Sequence, residues 1–269
     1  MEPVNVLSTV SFSDAQLAQL RGLSPQLDVV QHPAQDADEV PSHVWSRVEV
    51  LCTFGILPSL EQAPHLRWVQ LMSAGANRAV DHPMFQGGVT LTTTSGIHAI
   101  NIAELVFAMM LAWGQRLPTL IQYQHRAEWP ENRHELFLPQ ELRGATVGIV
   151  GYGSIGREVG RLARAFGMKI LAYDVSDARV DHGYAMAGIG DPEGVLPERY
   201  YLPGELRSML TECDYVVLAV PLTNASRNMF GADELKSMKH TAFLINIGRG
   251  GVVDEPVLVQ ALRKGWIAG

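Results

Sequence analysis

Cysteine is scarce in this chain of 269 residues, which contains only Cys52 and Cys213. The two lie far apart in sequence, and each sits in or beside an apolar, strand-like run. Such positions are typical of small buried side chains rather than of disulfides or metal ligands. We therefore expect neither a disulfide framework nor a metal site.

Long apolar segments and clusters of basic residues are also missing. The longest apolar stretch, 102–113, contains Glu104 and is too short to cross a bilayer. The first residues lack the basic start and apolar core of a secretory signal. The net charge of −7, without a Lys/Arg-rich run, argues against a polyanionic partner. We expect a soluble cytoplasmic protein with neither nucleic acid nor membrane as partner.

What the chain does contain is an alternation of strand-like and helical runs, which favours parallel sheets covered by helices. Strand-like runs of the first hundred residues lie at 4–7, 27–30, 48–54, 68–72 and 89–93. They are separated by a helix starting at Ser13 and a short helix after Pro58, and an apolar helix follows at 101–117. We predict two α/β domains, 1–99 and 100–269.

A glycine-rich motif opens the sheet of the second domain. The run 145–150 leads into Gly151, Gly153 and Gly156, the spacing of the dinucleotide-binding fingerprint. The first glycine permits a tight turn, the second lets the backbone approach a pyrophosphate, and the third lets the next helix pack closely. Asp174 ends the next strand-like run. A carboxylate at this position can accept hydrogen bonds from a ribose diol and repels a 2′-phosphate. We expect NAD rather than NADP, with a ligand-free tight turn as the alternative.

Two further strand-like runs, 215–220 and 242–247, end near the same predicted edge. Because ligands of a doubly wound sheet gather outside the carboxyl ends of its strands, Pro221, Thr223 and Arg249 are predicted to face the cofactor. The segment 176–203 shows no clean periodicity. It is predicted to be an extended surface loop without chemistry.

Five motifs together resemble the D-isomer-specific 2-hydroxyacid dehydrogenase family, which includes glyoxylate, hydroxypyruvate and phosphoglycerate dehydrogenases. They are LMSAGAN (71–77), NIAE (101–104), GYGSIG (151–156), VPLT (220–223) and NIGRG (246–250), in the family's order. The resemblance implies a flavodoxin-like substrate domain and a Rossmann doubly wound NAD-binding domain. It implies an oxidoreductase that transfers a hydride between nicotinamide and C2 of a small 2-hydroxy or 2-keto acid.

The resemblance also assigns roles to particular residues. Ser73, Ala74 and Gly75 match the loop whose backbone amides hold the substrate carboxylate. Arg249 matches the catalytic arginine, whose forked charge can grip a carboxylate and polarise the C2 oxygen; a surface or ion-paired arginine is the alternative. The implied NAD contacts are Gly151, Tyr152, Gly153, Ser154, Ile155, Gly156, Asp174, Pro221, Thr223, Ile247 and Gly248. Thr223 alternatively caps a following helix.

The sequence departs from the family's pattern after Arg249. The family places an acid/base histidine and its orienting glutamate beyond the arginine, whereas residues 250–269 contain no histidine. We expect a C-terminally truncated member without the last Rossmann strand and the return helix, and its own activity stays open. The alternative function is an NAD-binding scaffold or corepressor-like regulator without turnover.

The predicted helix 101–117 carries a wide apolar stripe. Its members are Ile102, Leu105, Val106, Met109, Met110 and Trp113. Because the family usually forms homodimers, we expect this stripe to form a dimer contact. Burial within its own domain is the alternative.

Overall fold

A computed structural model describes residues 3–76, 79, 81–176, 179–181, 183 and 186–269. The chain divides into an N-terminal unit, Met1–Ser95, and a C-terminal unit, Gly96–Gly269. Asn77 of the LMSAGAN motif lies outside the described residues. The functional domain boundaries predicted from the sequence, 1–99 and 100–269, stay a prediction.

The N-terminal unit is built on a five-stranded parallel sheet. Its strands are β1 (Val4–Ser8), β2 (Leu27–Gln31), β3 (Val50–Thr53), β4 (Trp68–Leu71) and β5 (Thr90–Thr92). Their spatial order, β2-β1-β3-β4-β5, is that of flavodoxin-like folds. The fold predicted for this part of the chain is confirmed.

The helices of the N-terminal unit are α1 (Asp14–Gly22) and α2 (Ser42–Trp45). Ser13 caps α1 as predicted, because its hydroxyl accepts from the Gln16 N–H while the Gln16 side chain accepts from the Ser13 N–H. The short helix predicted after Pro58 is wrong, since residues 60–62 form a single turn. Pro64 explains the difference, because it has no N–H and disfavours helical geometry in the residue before it.

The C-terminal unit carries a second five-stranded parallel sheet. Its strands are β6 (Thr146–Val150), β7 (Lys169–Tyr173), β8 (Arg199–Tyr201), β9 (Tyr215–Leu218) and β10 (Phe243–Asn246). The spatial order β8-β7-β6-β9-β10 corresponds to 3-2-1-4-5 of the Rossmann fold. This observation confirms the predicted doubly wound architecture.

Helices cover both faces of this sheet. The helices of this unit are α3 (Ala99–Gly114), α4 (Leu117–Arg126), α5 (Arg133–Leu136), α6 (Ser154–Ala165), α7 (Leu206–Leu210), α8 (Ala232–Ser237) and α9 (Glu255–Arg263), of which α4 and α5 contribute no residue to the two core clusters of the sheet. Val147 and Val217 share one cluster with residues of α3 and α6, whereas Val216 shares the other with residues of α7 to α9. Strands buried on both faces explain the near-continuous apolar runs of this half of the sequence.

The predicted helix 101–117 corresponds to α3, which ends at Gly114, three residues before the predicted end. Between α3 and α4, Arg116 adopts a left-handed conformation with φ of 54°. Pro118 lies in the first turn of α4, and a proline there would clash with the Gly114 carbonyl if α3 continued. The apolar stripe also divides, because Val106 and Met110 are buried whereas Leu105 and Met109 are 49% and 41% exposed.

The segment 176–203, of which 177, 178, 182, 184 and 185 lie outside the described residues, contains a strand and a buried carboxylate that the loop prediction did not include. Residues Arg199–Tyr201 form β8, which pairs with β7, and Asp191 is only 4% exposed. The side chain of Asp191 accepts from the N–H groups of Val195 and Leu196. Hydrogen bonds of this kind can order residues whose apolar side chains show no regular spacing, so a search for apolar periodicity does not detect them.

Across the residues that the structure describes, no helix is both long enough and apolar enough to cross a bilayer.

Gly148 in β6 provides a test of the packing in the C-terminal unit. A Cβ at this position would lie 2.5 Å from Cys213 Sγ and 3.2 Å from Met209 Cε, and both of these side chains are fully buried. We expect Gly148→Ala to lower the free energy of unfolding by about 1–3 kcal/mol, as overpacking usually does. Denaturant unfolding measures the change.

Gly22→Ala is the matched control, since Gly22 ends α1 and a Cβ there meets nothing within 4 Å. We expect it to be neutral or slightly stabilising because alanine favours helix. Equal stabilities of the two variants would contradict the proposed steric reason.

Candidate functional site

The carboxyl edge of the C-terminal sheet collects most of the residues singled out in the sequence. β6, β7, β9 and β10 are parallel, so their carboxyl ends lie at one edge. The turns that follow these strands contain Gly151, Asp174, Pro221 and Arg249. This edge is where ligands of doubly wound sheets bind.

The turn between β6 and α6 needs its glycines for three different reasons. Gly151 has a φ of +94°, which residues with a Cβ rarely adopt. A Cβ at Gly156 would collide with the Gly151 carbonyl oxygen. At Gly153, by contrast, a Cβ would meet nothing within 4 Å in the protein itself. The open space at Gly153 is available to a ligand that approaches the backbone.

The N-terminus of α6 is suited to an anion. Gly153 occupies the N-cap and therefore supplies no side-chain cap. The backbone N–H groups of Ser154, Ile155 and Gly156, in the first turn, have no partner within a helix. They lie at the positive end of the helix dipole, where phosphates bind. The turn thus fits the pyrophosphate of a dinucleotide.

Asp174 is held at the end of β7 by two backbone N–H groups. Its Oδ2 accepts from Tyr152 over 2.9 Å and its Oδ1 accepts from Val175 over 2.7 Å. A carboxylate can accept about four hydrogen bonds, so it keeps acceptor capacity for other donors. The half-buried carboxylate is therefore oriented and still able to accept from a ribose diol.

Val220 packs the turns of three strands against one another. A Cβ at Gly151 would lie 2.9 Å from Val220 Cγ1, and a Cβ at Gly248 would lie 2.7 Å from the Val220 carbonyl oxygen. Glycine at both positions lets the turns after β6 and β10 approach the turn after β9. The turn that carries Arg249 is thereby joined to the glycine-rich turn.

Asn246 fixes the turn that carries Arg249. Its Oδ1 accepts from the Gly248 N–H and its Nδ2 donates to the Arg249 carbonyl, both over 3.0 Å. Arg249 is exposed and donates from Nη1 to the Gly248 carbonyl over 2.9 Å. Within the described part of the chain, no carboxylate forms an ion pair with it. Its charge is thus available to a ligand.

Pro221, Thr223 and Ile247, which the sequence predicts as NAD contacts, also lie at this edge. The Thr223 hydroxyl accepts from the Ser226 N–H over 3.2 Å, and Ser226 Oγ donates to the Pro221 carbonyl over 2.6 Å. Thr223 thus makes a cap-type bond, although residues 224–228 form turns rather than a helix. Pro221 is exposed and Ile247 is half-buried at the same edge.

The predicted substrate loop follows β4 in the N-terminal unit. Ser73 Oγ donates to the Gly75 carbonyl over 2.9 Å, and the Ser73 carbonyl accepts from the Thr94 N–H over 3.2 Å. Ala74 is exposed, while Ser73 and Gly75 are half-buried. The loop lies at the carboxyl edge of its own sheet, and its small side chains leave the backbone open to close approach.

A buried polar cluster beside α6 was missed from the sequence. Tyr152 donates its hydroxyl proton to Asp191 Oδ2 over 2.9 Å, and Arg157 donates to the Asp191 carbonyl over 2.5 Å. Burial raises the pKa of the Tyr152 hydroxyl, and the charge of Asp191 raises it further. In the sequence, the glycine at position 160 inside the predicted helix is a signal of this cluster. A Cβ there would lie 2.6 Å from the Tyr152 hydroxyl, so the helix needs glycine where the tyrosine packs.

Glu158 extends this cluster. Burial acts to raise the pKa of its carboxyl, but hydrogen bonds from Arg161 and from the Gly190 N–H outweigh burial and leave the pKa below its usual value. Among the described residues, no group of three or more His, Cys, Asp or Glu side chains could hold a metal ion.

Comparison with known proteins connects this edge to a function. Residues 107–269 match the family model described as D-isomer specific 2-hydroxyacid dehydrogenase, NAD binding domain. A glyoxylate reductase of Korarchaeum cryptofilum is 37% identical over 210 residues, covering 78% of this chain and 59% of that protein. A glyoxylate reductase of Aeropyrum pernix is 34% identical over 248 residues, covering 91% of this chain and 68% of that protein. The chain therefore spans roughly three fifths to two thirds of the length of these relatives.

A solved structure supports the fold. The D-lactate dehydrogenase of Aquifex aeolicus, complexed with NAD and lactic acid, superimposes with a TM-score of 0.71 at 24% identity. The match covers 98% of this chain and 75% of that one.

Gly153 offers a direct test of the nucleotide site. Because a Cβ there meets no protein atom within 4 Å, Gly153→Ala is expected to leave the free energy of unfolding unchanged. The new methyl group would occupy the open space, so we expect the Kd for NAD to rise about tenfold or more, or about 1.4 kcal/mol. Calorimetric titration with NAD and denaturant unfolding measure the two effects.

Gly156→Ala is the companion variant. Its Cβ collides with the Gly151 carbonyl oxygen, so both stability and NAD affinity are expected to fall. Unchanged NAD affinity in Gly153→Ala would contradict the assignment of the turn to the pyrophosphate.

Proposed function

Because the chain belongs to the D-isomer specific 2-hydroxyacid dehydrogenase family, we propose that it acts as an NAD-dependent oxidoreductase. In the reducing direction a hydride passes from the reduced nicotinamide to C2 of a small 2-keto acid and a proton from water reaches the C2 oxygen; oxidation of the 2-hydroxy acid reverses both transfers. The observation that carries the proposal is the packing about Val220, which joins the glycine-rich turn to the turn of Arg249. One rigid edge thus carries both an anion-binding helix terminus and an available guanidinium.

The residues of this edge fit NAD, as the open space at Gly153 and the half-buried carboxylate of Asp174 show. In the proposal, the amides of 153–156 hold the pyrophosphate, and Asp174 accepts from the adenosine ribose. The rest of the NAD molecule lies, in this proposal, along Gly151, Pro221, Thr223, Ile247 and Gly248. When bound, NAD supplies the hydride acceptor for oxidation and, in its reduced form, the hydride donor for reduction.

For the acid substrate, the proposal uses two kinds of donor. Arg249 grips the carboxylate and polarises the C2 oxygen, which it can do because a guanidinium presents charged, forked donors. As a second set of donors for a carboxylate, we propose the backbone amides of Ser73, Ala74 and Gly75. The relatives named glyoxylate reductase support a small keto acid and favour turnover over the scaffold role.

We also propose a homodimer and a cytoplasmic location. Leu105 and Met109, exposed on α3, line a groove of about 500 Å³ with Leu244 of β10, and an apolar groove of this kind is suited to a protein contact.

The two cysteines are free, and burial raises the pKa of the Cys213 thiol to about 12. Free thiols are typical of reducing compartments.

Arg249→Gln tests the substrate role. Removing the charged donors is expected to lower kcat/KM for glyoxylate about 10²- to 10³-fold, as the loss of a transition-state donor does. The Kd for NAD is expected to change less than about threefold, which is below 1 kcal/mol. Arg263→Gln, at the end of α9, is the matched control. An unchanged kcat/KM in Arg249→Gln would contradict the assigned role, and no turnover of any 2-keto acid by the unsubstituted protein would contradict the activity.

Light scattering tests the dimer. The unsubstituted protein is expected to have twice the mass of one chain, and the double substitution Leu105→Glu with Met109→Glu is expected to give single chains, because buried unpaired charges are costly. Leu23→Glu, an exposed position of the N-terminal unit, is the control. A single-chain mass for the unsubstituted protein would overturn the dimer proposal.

A further inference from the structure

Tyr152 donates hydrogen bonds to two carboxylates, one from its backbone and one from its side chain. Its backbone N–H donates to Asp174 Oδ2 over 2.9 Å, and its hydroxyl donates to Asp191 Oδ2 over 2.9 Å. The tyrosine is only 2% exposed. The residue between Gly151 and Gly153 is therefore fixed from both ends.

Asp191 is itself held firmly. Its Oδ1 accepts from the Val195 N–H over 3.1 Å and its Oδ2 accepts from the Leu196 N–H over 3.0 Å. Its carbonyl accepts from Arg157, which is 5% exposed. A buried carboxylate with these partners is satisfied and has little freedom to move.

The ring of Tyr152 also has no room to move. A Cβ at Gly160 would lie 2.6 Å from its hydroxyl, so α6 carries a glycine where the tyrosine crosses it. The guanidinium carbon of Arg157 lies 5.1 Å from the ring centroid, within the range of a cation–π contact. A shift of the hydroxyl would therefore be transmitted to the backbone of Tyr152.

We propose that Asp191 is a positioning residue of the nucleotide site, which acts through the Tyr152 hydroxyl to orient the Asp174 carboxylate for the adenosine ribose. This inference rests on the proposed function, in which Asp174 binds that ribose. Asp191 and Tyr152 touch no part of the acid substrate in this scheme. Their influence falls on cofactor affinity and on the recognition of the ribose hydroxyls.

The test compares Tyr152→Phe with Tyr201→Phe. Tyr201 is a matched control, because it is fully buried and donates its hydroxyl proton to Glu212 Oε1 over 2.6 Å. The Kd values for NAD and for its 2′-deoxyadenosine analogue are measured by titration for both variants, for Asp174→Asn and for the unsubstituted protein. Asp191→Asn is a second variant in case Tyr152→Phe folds poorly.

In Tyr152→Phe we expect the Kd for NAD to rise about tenfold, about 1.4 kcal/mol, and the preference for NAD over the 2′-deoxy analogue to shrink. Asp191→Asn is expected to change both quantities in the same direction. Tyr201→Phe is expected to change neither Kd nor preference.

Equal affinities and preferences in Tyr152→Phe and Tyr201→Phe would overturn the positioning role, while a loss of preference in Asp174→Asn would leave the ribose assignment standing. An Asp174→Asn variant that keeps the affinity and preference of the unsubstituted protein would overturn the ribose assignment itself, and the positioning role with it.

Discussion

The carboxyl edge of the C-terminal sheet depends on one steric constraint, the close approach of three backbone turns that only glycine permits. Gly151 and Gly248 both pack on Val220, and Gly156 packs on the Gly151 carbonyl. Hydrogen bonds between neighbouring strands, such as that from the Ala219 N–H to the Val150 carbonyl over 2.8 Å, hold the turns at this distance. The geometry of the amides and of Arg249 is therefore set by packing within the sheet edge.

A cluster of buried charged side chains also constrains this unit. Asp191, Arg157 and Glu158 are nearly inaccessible to water, and an uncompensated charge at such a position would be strongly destabilising. In this protein the carboxylates of Asp191 and Glu158 each accept several hydrogen bonds, and Arg157 Nε lies 3.5 Å from Asp181 Oδ2 without a hydrogen bond, so the carboxylates are the satisfied part of the cluster. It ties the segment before β8 to α6, the helix whose N-terminus faces the predicted pyrophosphate site.

The sequence predicts the parts of the fold that depend on local signals. Apolar runs locate all strands except β8, and the glycine spacing locates the turn after β6, because each signal is contained in neighbouring residues. The failures have long-range causes. β8 has three residues and pairs with β7, and Asp191 meets Tyr152 39 positions away. The end of α3 before Arg116 has a local cause instead, Pro118, which the apolar pattern does not take into account. For the site, the sequence predicts the residue types but not the bond from Tyr152 to Asp174.

Backbone and side chains divide the recognition between them. The proposed pyrophosphate contacts are amides, whose positions depend on glycine and on helix geometry, so most side-chain substitutions leave them in place. In the proposed function, the preference for NAD over NADP rests instead on the carboxylate of Asp174, and recognition of an acid substrate rests on the guanidinium of Arg249. Asp174 and Arg249 lie on separate turns, and Val220 fixes the distance between the Arg249 turn and the glycine-rich turn. Substitution of either side chain can therefore change the preference for the cofactor or for the acid without altering the proposed pyrophosphate site.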